Sequence, residues 1–199
     1  MSRYLGPIHK KARRLNFSIL ENGKEFIRRK SLSTVNKWKR RSGFALQLEE
    51  KQRVRFLYGL TEKQLRNTFK RILKKTGIKS ENLIIELEKR LDNVVFRLGF
   101  AKTRKAARQL VNHGHILINN RKVDVSSYIL NVGDIVSIKK TKIKSSTNLK
   151  ESIANRINLN FLELETKNFA GKLIKEPITE LLNLGINGAL VVEYYNRFV

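Results

Sequence analysis

The sequence of 199 residues contains no cysteine and few acidic residues, with 17 Asp and Glu against 42 Lys and Arg. Without cysteine there are no disulfide bonds and no zinc sites built on thiolates. No apolar run reaches the roughly 18 residues that a membrane-spanning helix needs. The N-terminus lacks the uninterrupted apolar segment of a secretory signal. We therefore expect neither a membrane span nor a secretory signal.

The motifs of common nucleotide-binding and hydrolytic sites are also missing. There is no Walker-type phosphate loop, no dinucleotide fingerprint and no nucleophile elbow. The three histidines are His9, His113 and His115, and none has an acidic residue at helical spacing beside it, which argues against a metal site. We expect no enzymatic activity, no cofactor and no metal.

The positive charge is large and unevenly distributed along the chain. The net charge is +25 at pH 7. Residues 1–80 contribute +18 (23 basic and five acidic residues), residues 81–144 contribute +7 (13 and six), and residues 145–199 contribute none (six and six). Such an excess repels itself unless a polyanion neutralises it. Nucleic acid is therefore the leading partner. An anionic membrane surface is the alternative, although it would favour one basic amphipathic helix.

The stretch 90–138 predicts two short helices followed by a hairpin. Gly99 can end the first helix in a left-handed cap, Thr103 can cap the second, and Gly114 can end it. Asn119 and Asn120 can adopt the positive φ of a tight turn between two strands. The apolar residues of the two helices lie at helical spacing: Leu91, Val94, Val95 and Leu98 in the first, and Ala106, Ala107, Leu110 and Val111 in the second.

The opposite face of the second helix is basic and polar. We expect Arg104, Arg108 and Gln109 to lie on its exposed side, where they can contact phosphates; a solvated charged surface is the alternative. His113 and His115 flank the glycine at the helix end, so each is expected to act as a cap or as a phosphate contact.

Further helices are predicted before this stretch. Residues 44–58 form one that Gly59 ends. Thr61 and Gln64 form a capping box for the next, which Gly77 ends, and Ser80 caps another. The predicted inner face of the capping-box helix consists of Leu65, Phe69, Ile72 and Leu73.

The ends of the chain are less regular. Residues 1–43 show little apolar periodicity and several basic clusters, so we expect them to be disordered when free; Trp38 can either stack or pack. Residues 139–150 are typical of a basic linker. Gly171 and Pro177 are predicted to mark turns. The chain ends in a segment that can be strand or helix, and we prefer a helix capped by Asn187.

Several of these motifs together resemble the S-four family of small-subunit ribosomal proteins. The family's RNA-binding module is matched by Arg90-Leu91-Asp92, Gly99-Phe100-Ala101-Lys102-Thr103-Arg104, Ala107-Arg108-Gln109, His113-Gly114 and Ile118-Asn119. Ser2-Arg3-Tyr4-Leu5-Gly6-Pro7 resembles the family's start, residues 48–55 and 58–64 resemble its helical region, and residues 191–197 resemble its C-terminus, most closely in plastid members. The similarity is strong at 1–14, 44–138 and 188–197 and weak at 15–43 and 145–187.

The resemblance implies an α+β fold in which a helical domain carries an inserted RNA-binding module of two helices and a small antiparallel sheet. The implied domains are a basic extension (1–43), a helical domain (44–89) completed by the C-terminal segment (180–199), and the module with its linker and subsidiary strands (90–179). It also implies a structural role in the small ribosomal subunit. The resemblance implies three partners: the five-helix junction in the 5′ domain of small-subunit rRNA, the fifth protein of the small subunit as a neighbour, and mRNA where it enters the subunit.

The resemblance and the basic faces together give the candidate RNA-binding residues. They are Arg3, Lys10, Lys11, Arg13, Arg14, Lys51, Arg53, Arg55, Tyr58, Arg66, Lys70, Arg90, Arg97, Thr103, Arg104, Lys105, Arg108, Gln109, His113 and His115. By their similarity to bacterial relatives, Lys37, Lys39 and Arg40 are expected at the site where mRNA enters; anchoring on rRNA is the alternative. Some relatives bind zinc through N-terminal cysteines, which this chain lacks.

Two rival functions and the compartment remain open. One rival is an RNA-modifying enzyme carrying the module, because Arg90-Leu91-Asp92 mimics a motif of pseudouridine synthases. The other is a stand-alone RNA-binding protein. A plastid ribosome is the expected location, with bacterial cytoplasm or another organelle as alternatives.

Overall fold

A computed structural model describes residues 4–21, 42–139, 151, 153, 154, 156, 159–166, 168–178 and 185–198. Trp38 and the predicted linker beyond Lys139 lie outside these residues. The helices are α1 (Ile8–Leu15), α2 (Gly43–Leu57), α3 (Glu62–Leu73), α4 (Lys79–Glu88), α5 (Leu91–Arg97), α6 (Arg104–Asn112) and α7 (Gly188–Asn196). The strands are β1 (Ile116–Ile118), β2 (Arg121–Lys122), β3 (Ile135–Ile138), β4 (Leu162–Glu165) and β5 (Ala170–Leu173). None of the described helices is long and apolar enough to cross a membrane.

The chain divides into two compact units, and the predicted α+β class is confirmed. Unit 1 comprises Met1–Leu83 with Leu184–Val199, and unit 2 comprises Ile84–Asn183. The division falls inside α4, a few residues before the predicted boundary at 89/90. The described residues of the segment 1–43, which was predicted as a separate extension, are grouped with unit 1.

Unit 1 is built on the packing of α7 against α2. Asn187 caps α7, as predicted, and its side chain accepts hydrogen bonds from the backbone N–H groups of Ala189 and Leu190. The Glu50 carboxylate of α2 accepts from the backbone N–H of Asn187 at 3.2 Å. The Gln47 amide donates to Glu193 of α7 at 2.8 Å. These bonds join segments that are far apart in sequence.

The N-terminal helices correct two predictions. The expectation of an irregular N-terminal segment is wrong for residues 8–15, which form α1 with Ala12 and Leu15 buried. Two buried apolar residues in a helix of eight are too few to give a clear period. In α3 the capping box of Thr61 and Gln64 is confirmed. Leu73, however, is 40% exposed because it is the last residue of its helix.

Helices α4, α5 and α6 follow the prediction only in part. The chain breaks between α4 and α5 at Arg90, which is extended and precedes Leu91 as N-cap, as expected. The prediction that Ser80 caps α4 is wrong, because the helix already includes Lys79. The Gly99 stop, with φ +78°, and the Thr103 cap of α6 are both confirmed.

The sheet of unit 2 is antiparallel, in the order β2-β1-β3-β5-β4. Asn119 and Asn120, with φ of 48° and 66°, form the predicted turn between β1 and β2. Gly171 was predicted to mark a turn, and this is wrong because it lies within β5. A Cβ atom on Gly171 would overlap the Leu98 side chain. The glycine therefore permits close packing of the sheet under α5.

Candidate RNA-binding surfaces

Asp92, in the first turn of α5, is the acceptor for two arginines. Arg90 donates through Nε and Nη2 to the two carboxylate oxygens at 3.1 and 3.0 Å. Arg108 of α6 donates to Asp92 Oδ2 at 2.9 and 2.6 Å. The Asp92 side chain is only 4% exposed. One buried carboxylate thus fixes two guanidinium groups and joins α5 to α6.

A second buried network begins at Glu88, the last residue of α4. Its carboxylate accepts from Arg97 at 3.0 and 3.1 Å and from the Asn93 amide at 2.7 Å. The oxygen of that amide accepts from Arg104 Nε at 2.7 Å. The Arg104 guanidinium also lies 4.6 Å from the centre of the Phe96 ring. The network therefore runs from α4 through α5 to α6.

These networks overturn the expected placement of two α6 arginines. Arg104 is buried and Arg108 is half-buried, whereas both were predicted on the exposed side of the helix. On a helical wheel Arg108 lies away from the apolar stripe of α6, whereas Arg104 lies beside it, three and seven positions before Ala107 and Val111. Helix α5 receives both arginines. Arg90 and Arg97 are buried as well. These four arginines hold the helices together.

The exposed polar groups of unit 2 form a different set. Lys105 and Gln109 of α6 and His113, which follows the helix, are exposed, and His115 is half-buried. Lys122 of β2 is exposed. Its aliphatic stem lies so close to Gly114 that a Cβ atom on Gly114 would meet it. Sequence reasoning missed Lys122, because its closeness to Gly114 at the end of α6 is not apparent from its position in the chain. The group called here the α6 surface consists of Lys105, Gln109, His113 and Lys122, with Thr103 half-buried at the start of the helix.

Several side chains of unit 1 that were predicted to bind RNA are buried or bond to other groups of the protein. Lys51 is buried, with its ammonium 3.1 Å from Glu62 and 4.3 Å from the centre of the Tyr194 ring. Arg53 pairs with Glu49 and Glu50 at 3.2 and 2.6 Å. Arg55 is half-buried and Tyr58 is buried.

Other basic side chains of unit 1 point to solvent. The α1 surface consists of Lys10, Arg13 and Arg14, while Lys11 is half-buried, 5.6 Å from the Phe56 ring centre. The exposed basic residues in and after α3, called here the α3 surface, are Lys63, Arg66, Lys70, Arg71, Lys74 and Lys75. Only Arg66 and Lys70 of this surface were predicted as site residues. Arg3, Lys37, Lys39 and Arg40 lie outside the described residues.

The described residues do not form a metal centre. No group of three or more His, Asp or Glu side chains in this part of the chain could hold an ion. His113 and His115 lie edge to face, with ring centres 6.1 Å apart.

Comparison with known proteins identifies the family. The model of the S4 domain matches residues 89–136, and that of the ribosomal protein S4/S9 N-terminal domain matches residues 3–88. The chain is 49% identical to small ribosomal subunit protein uS4 of Mesoplasma florum, with 100% of both chains covered. The chain belongs to the uS4 family. The chain is also 46% identical to the uS4 of Mycoplasma capricolum, with 100% of this chain and 99% of the relative covered. It is 48% identical to the uS4 of Phytoplasma mali, with 99% of this chain and 100% of the relative covered.

Membership of the uS4 family establishes a structural constituent of the small ribosomal subunit that binds rRNA. The relatives named above are ribosomal proteins of bacteria. They support a ribosomal location, and the plastid compartment stays a prediction.

Proposed function

We propose that the α6 surface of unit 2 and the α1 and α3 surfaces of unit 1 bind phosphates of the 5′ domain of small-subunit rRNA, at its five-helix junction. The observation that carries this proposal is the separation of the cations into two classes. The arginines at the α5–α6 contact are buried against Asp92 and Glu88. The lysines of the α6 and α3 surfaces are exposed.

The two classes have different physical roles. A guanidinium held by a buried carboxylate has already exchanged water for a protein partner, so it adds little new attraction for RNA. An exposed ammonium releases counterions when it meets a phosphate, and its contribution therefore depends on salt. Folded RNA is recognised largely through its shape and its phosphates. The buried networks fix the helices so that the exposed cations keep their spacing.

The experiment compares exposed lysines from regions of different charge. We expect Lys105→Ala/Lys122→Ala to weaken binding to a 5′-domain rRNA fragment and to reduce the salt slope of log K by about one for each phosphate that the variant no longer binds. The matched control is Lys172→Ala/Lys175→Ala, two exposed lysines in the part of the chain without net charge. Filter binding from low to high salt measures both. Equal salt slopes for the two variants would contradict the proposal.

The proposed setting is the bacterial ribosome, with the family's fifth small-subunit protein as a neighbour. The bacterial origin of the relatives supports this alternative over the plastid. Expression of the chain in a bacterium whose own uS4 is depleted tests it. We expect the chain to sediment with small subunits and to cross-link to the fifth protein.

A role where mRNA enters is proposed for Lys37, Lys39 and Arg40, on the strength of their resemblance to bacterial relatives. Cations near a single strand attract its phosphates and favour it over a compact hairpin. Ribosomes carrying the triple change to Ala are expected to assemble normally and to slow only on mRNA with a hairpin at that site. An assembly defect without hairpin-specific slowing would indicate that the three residues anchor the protein on rRNA.

The proposal includes no catalytic role. Asp92, the residue that mimics a pseudouridine synthase motif, has its carboxylate buried and bonded to Arg90 and Arg108, which leaves little room for a substrate. A turnover assay on uridine-containing RNA is expected to show no product. We also expect that no metal is needed. Excess chelator should leave RNA affinity unchanged, and stoichiometric zinc in the purified protein would contradict the expectation that no metal is bound.

A further inference from the structure

Helix α1 has little of its own to keep it folded. It consists of eight residues, fewer than the roughly 12 below which an isolated helix is marginal in water. Pro7, at its N-cap, makes no side-chain capping hydrogen bond, and the first turn contains no acidic residue. Lys10 lies three and four positions before Arg13 and Arg14, a spacing at which like charges repel each other. The helix therefore depends on its contacts with the rest of unit 1.

Arg53 of α2 makes one of these contacts, at the C-terminal end of α1. Its Nη2 donates to the carbonyl oxygen of Leu15 at 3.2 Å. Leu15 is the last residue of the helix, so its carbonyl has no partner within the helix, and the partial negative charge there favours a cation. The Arg53 guanidinium also lies 5.8 Å from the centre of the Phe17 ring. One side chain of α2 thus meets both the end of α1 and the segment that follows it.

The backbone turns back directly after α1. Asn16 is left-handed, with φ of 45° and ψ of 46°. The N–H of Phe17 donates to the carbonyl of Ala12 at 3.1 Å. This pattern ends a helix by giving partners to carbonyls of its last turn. The amide of Phe17 therefore reports whether the end of α1 is intact.

Arg53 is itself fixed by carboxylates of α2. Its Nη1 lies 2.6 Å from Glu50, and its Nη2 lies 3.2 Å from Glu49. Glu50 is buried, while Arg53 and Glu49 are half-buried. A planar guanidinium can bond to several acceptors in fixed directions, whereas an ammonium is a compact point charge on a flexible stem. The contact with Leu15 thus depends on an arginine at position 53, and not only on a positive charge.

We propose that Arg53 is a positioning residue for RNA binding, which keeps α1 folded before RNA arrives and so holds the cations of the α1 surface at a fixed spacing. This inference rests on the proposed function, because it assumes that the α1 surface meets phosphates. A surface that is ordered in advance loses less conformational entropy on binding, and its affinity is higher for that reason. Arg53 thus raises RNA affinity without contacting the RNA, which differs from the direct contact expected from the sequence.

Arg53→Lys tests positioning against direct contact with a phosphate. The variant keeps the charge and loses the bond to Leu15, so we expect amide hydrogen exchange at Asn16 and Phe17 to rise about fivefold. Affinity for the 5′-domain rRNA fragment is expected to fall by about the same factor, with the salt slope unchanged because the net charge is unchanged. A lysine in direct contact with a phosphate would instead keep the affinity of the unaltered chain.

Two further variants keep the result decisive. Arg55→Lys is the matched control, because Arg55 lies on the same helix and donates to the carbonyl of Leu60; it is expected to leave exchange in α1 unchanged. Phe17→Ala disturbs the contact from the other side without altering a charge, and it should raise exchange and lower affinity as Arg53→Lys does. It also replaces Arg53→Lys if circular dichroism shows that variant to be unfolded.

Lys10→Ala/Arg14→Ala tests the proposed function by itself. This variant removes cations of the α1 surface and is expected to lower both the affinity and the salt slope. An unchanged salt slope would count against RNA binding by the α1 surface. Unchanged exchange or unchanged affinity in both Arg53→Lys and Phe17→Ala, while the double Ala variant binds weakly, would overturn positioning by Arg53.

Discussion

Replacing Asp92 by Asn tests whether the two-arginine cluster holds unit 2 together. The change keeps the size of the side chain and removes the charge that faces Arg90 and Arg108. The side chains of Asp92, Arg90 and Arg108 are only 4, 5 and 14% exposed. Removing one partner of a buried ion pair costs about 3–5 kcal/mol, because the remaining charge stays buried without compensation. We expect a loss near the upper part of that range, since two guanidiniums lose one carboxylate.

The measurement is urea unfolding followed by circular dichroism, with thermal unfolding as a second probe. For a domain of roughly 100 residues, 1 kcal/mol shifts Tm by about 4–8 °C, so the expected loss is easily measured. The matched control is Asp124→Asn, which removes the same charge from an exposed position and is expected to change stability by less than about 0.5 kcal/mol. A loss below about 1 kcal/mol for Asp92→Asn would refute the argument.

Three further changes probe the helix start, the sheet and the pH response. Thr61→Ala removes the cap of α3 and is expected to cost about 1 kcal/mol in urea unfolding. Gly171→Ala forces a methyl group against Leu98 and is expected to cost about 1–3 kcal/mol by the same method. Burial and the adjacent Glu62 raise the pKa of Tyr195. Above pH ~10 the unfolded chain loses this proton first, so stability should fall as pH rises, and less steeply in Tyr195→Phe.

The features that sequence predicted correctly are determined by neighbours a few residues away. The Asn119-Asn120 turn needs only two residues that tolerate positive φ. The capping box of Thr61 and the cap at Asn187 likewise depend on contacts within the first turn of a helix. In each case the residue type and its local spacing carry the whole physical argument.

The features that sequence did not predict depend on distant partners. Arg104 is buried because Asn93 and Phe96, on another helix, receive its guanidinium. Gly171 lies within a strand because it pairs with Val136 and Leu164, and the position suits glycine because Leu98, far away in sequence, approaches its backbone. A lone glycine or arginine has the same appearance in the sequence whether it marks a turn, faces solvent or fits a close contact. The pairing of α5 with α6 had to be known before the exposed cations could be separated from the structural ones.

The packing of α7 on α2 also sets an order of events during synthesis. Gln47 and Glu193, which bond across that contact, are 146 residues apart, and all of Ile84–Asn183 is translated between them. The polar groups of α2 that bond to α7 therefore stay hydrated, without those partners, while the whole of unit 2 is synthesised. The inserted unit is contiguous and has no such delay. A nascent chain stopped before α7 should thus hold a folded insert and an unfinished helical unit, and the part of its rRNA affinity that needs a folded surface should come from the insert.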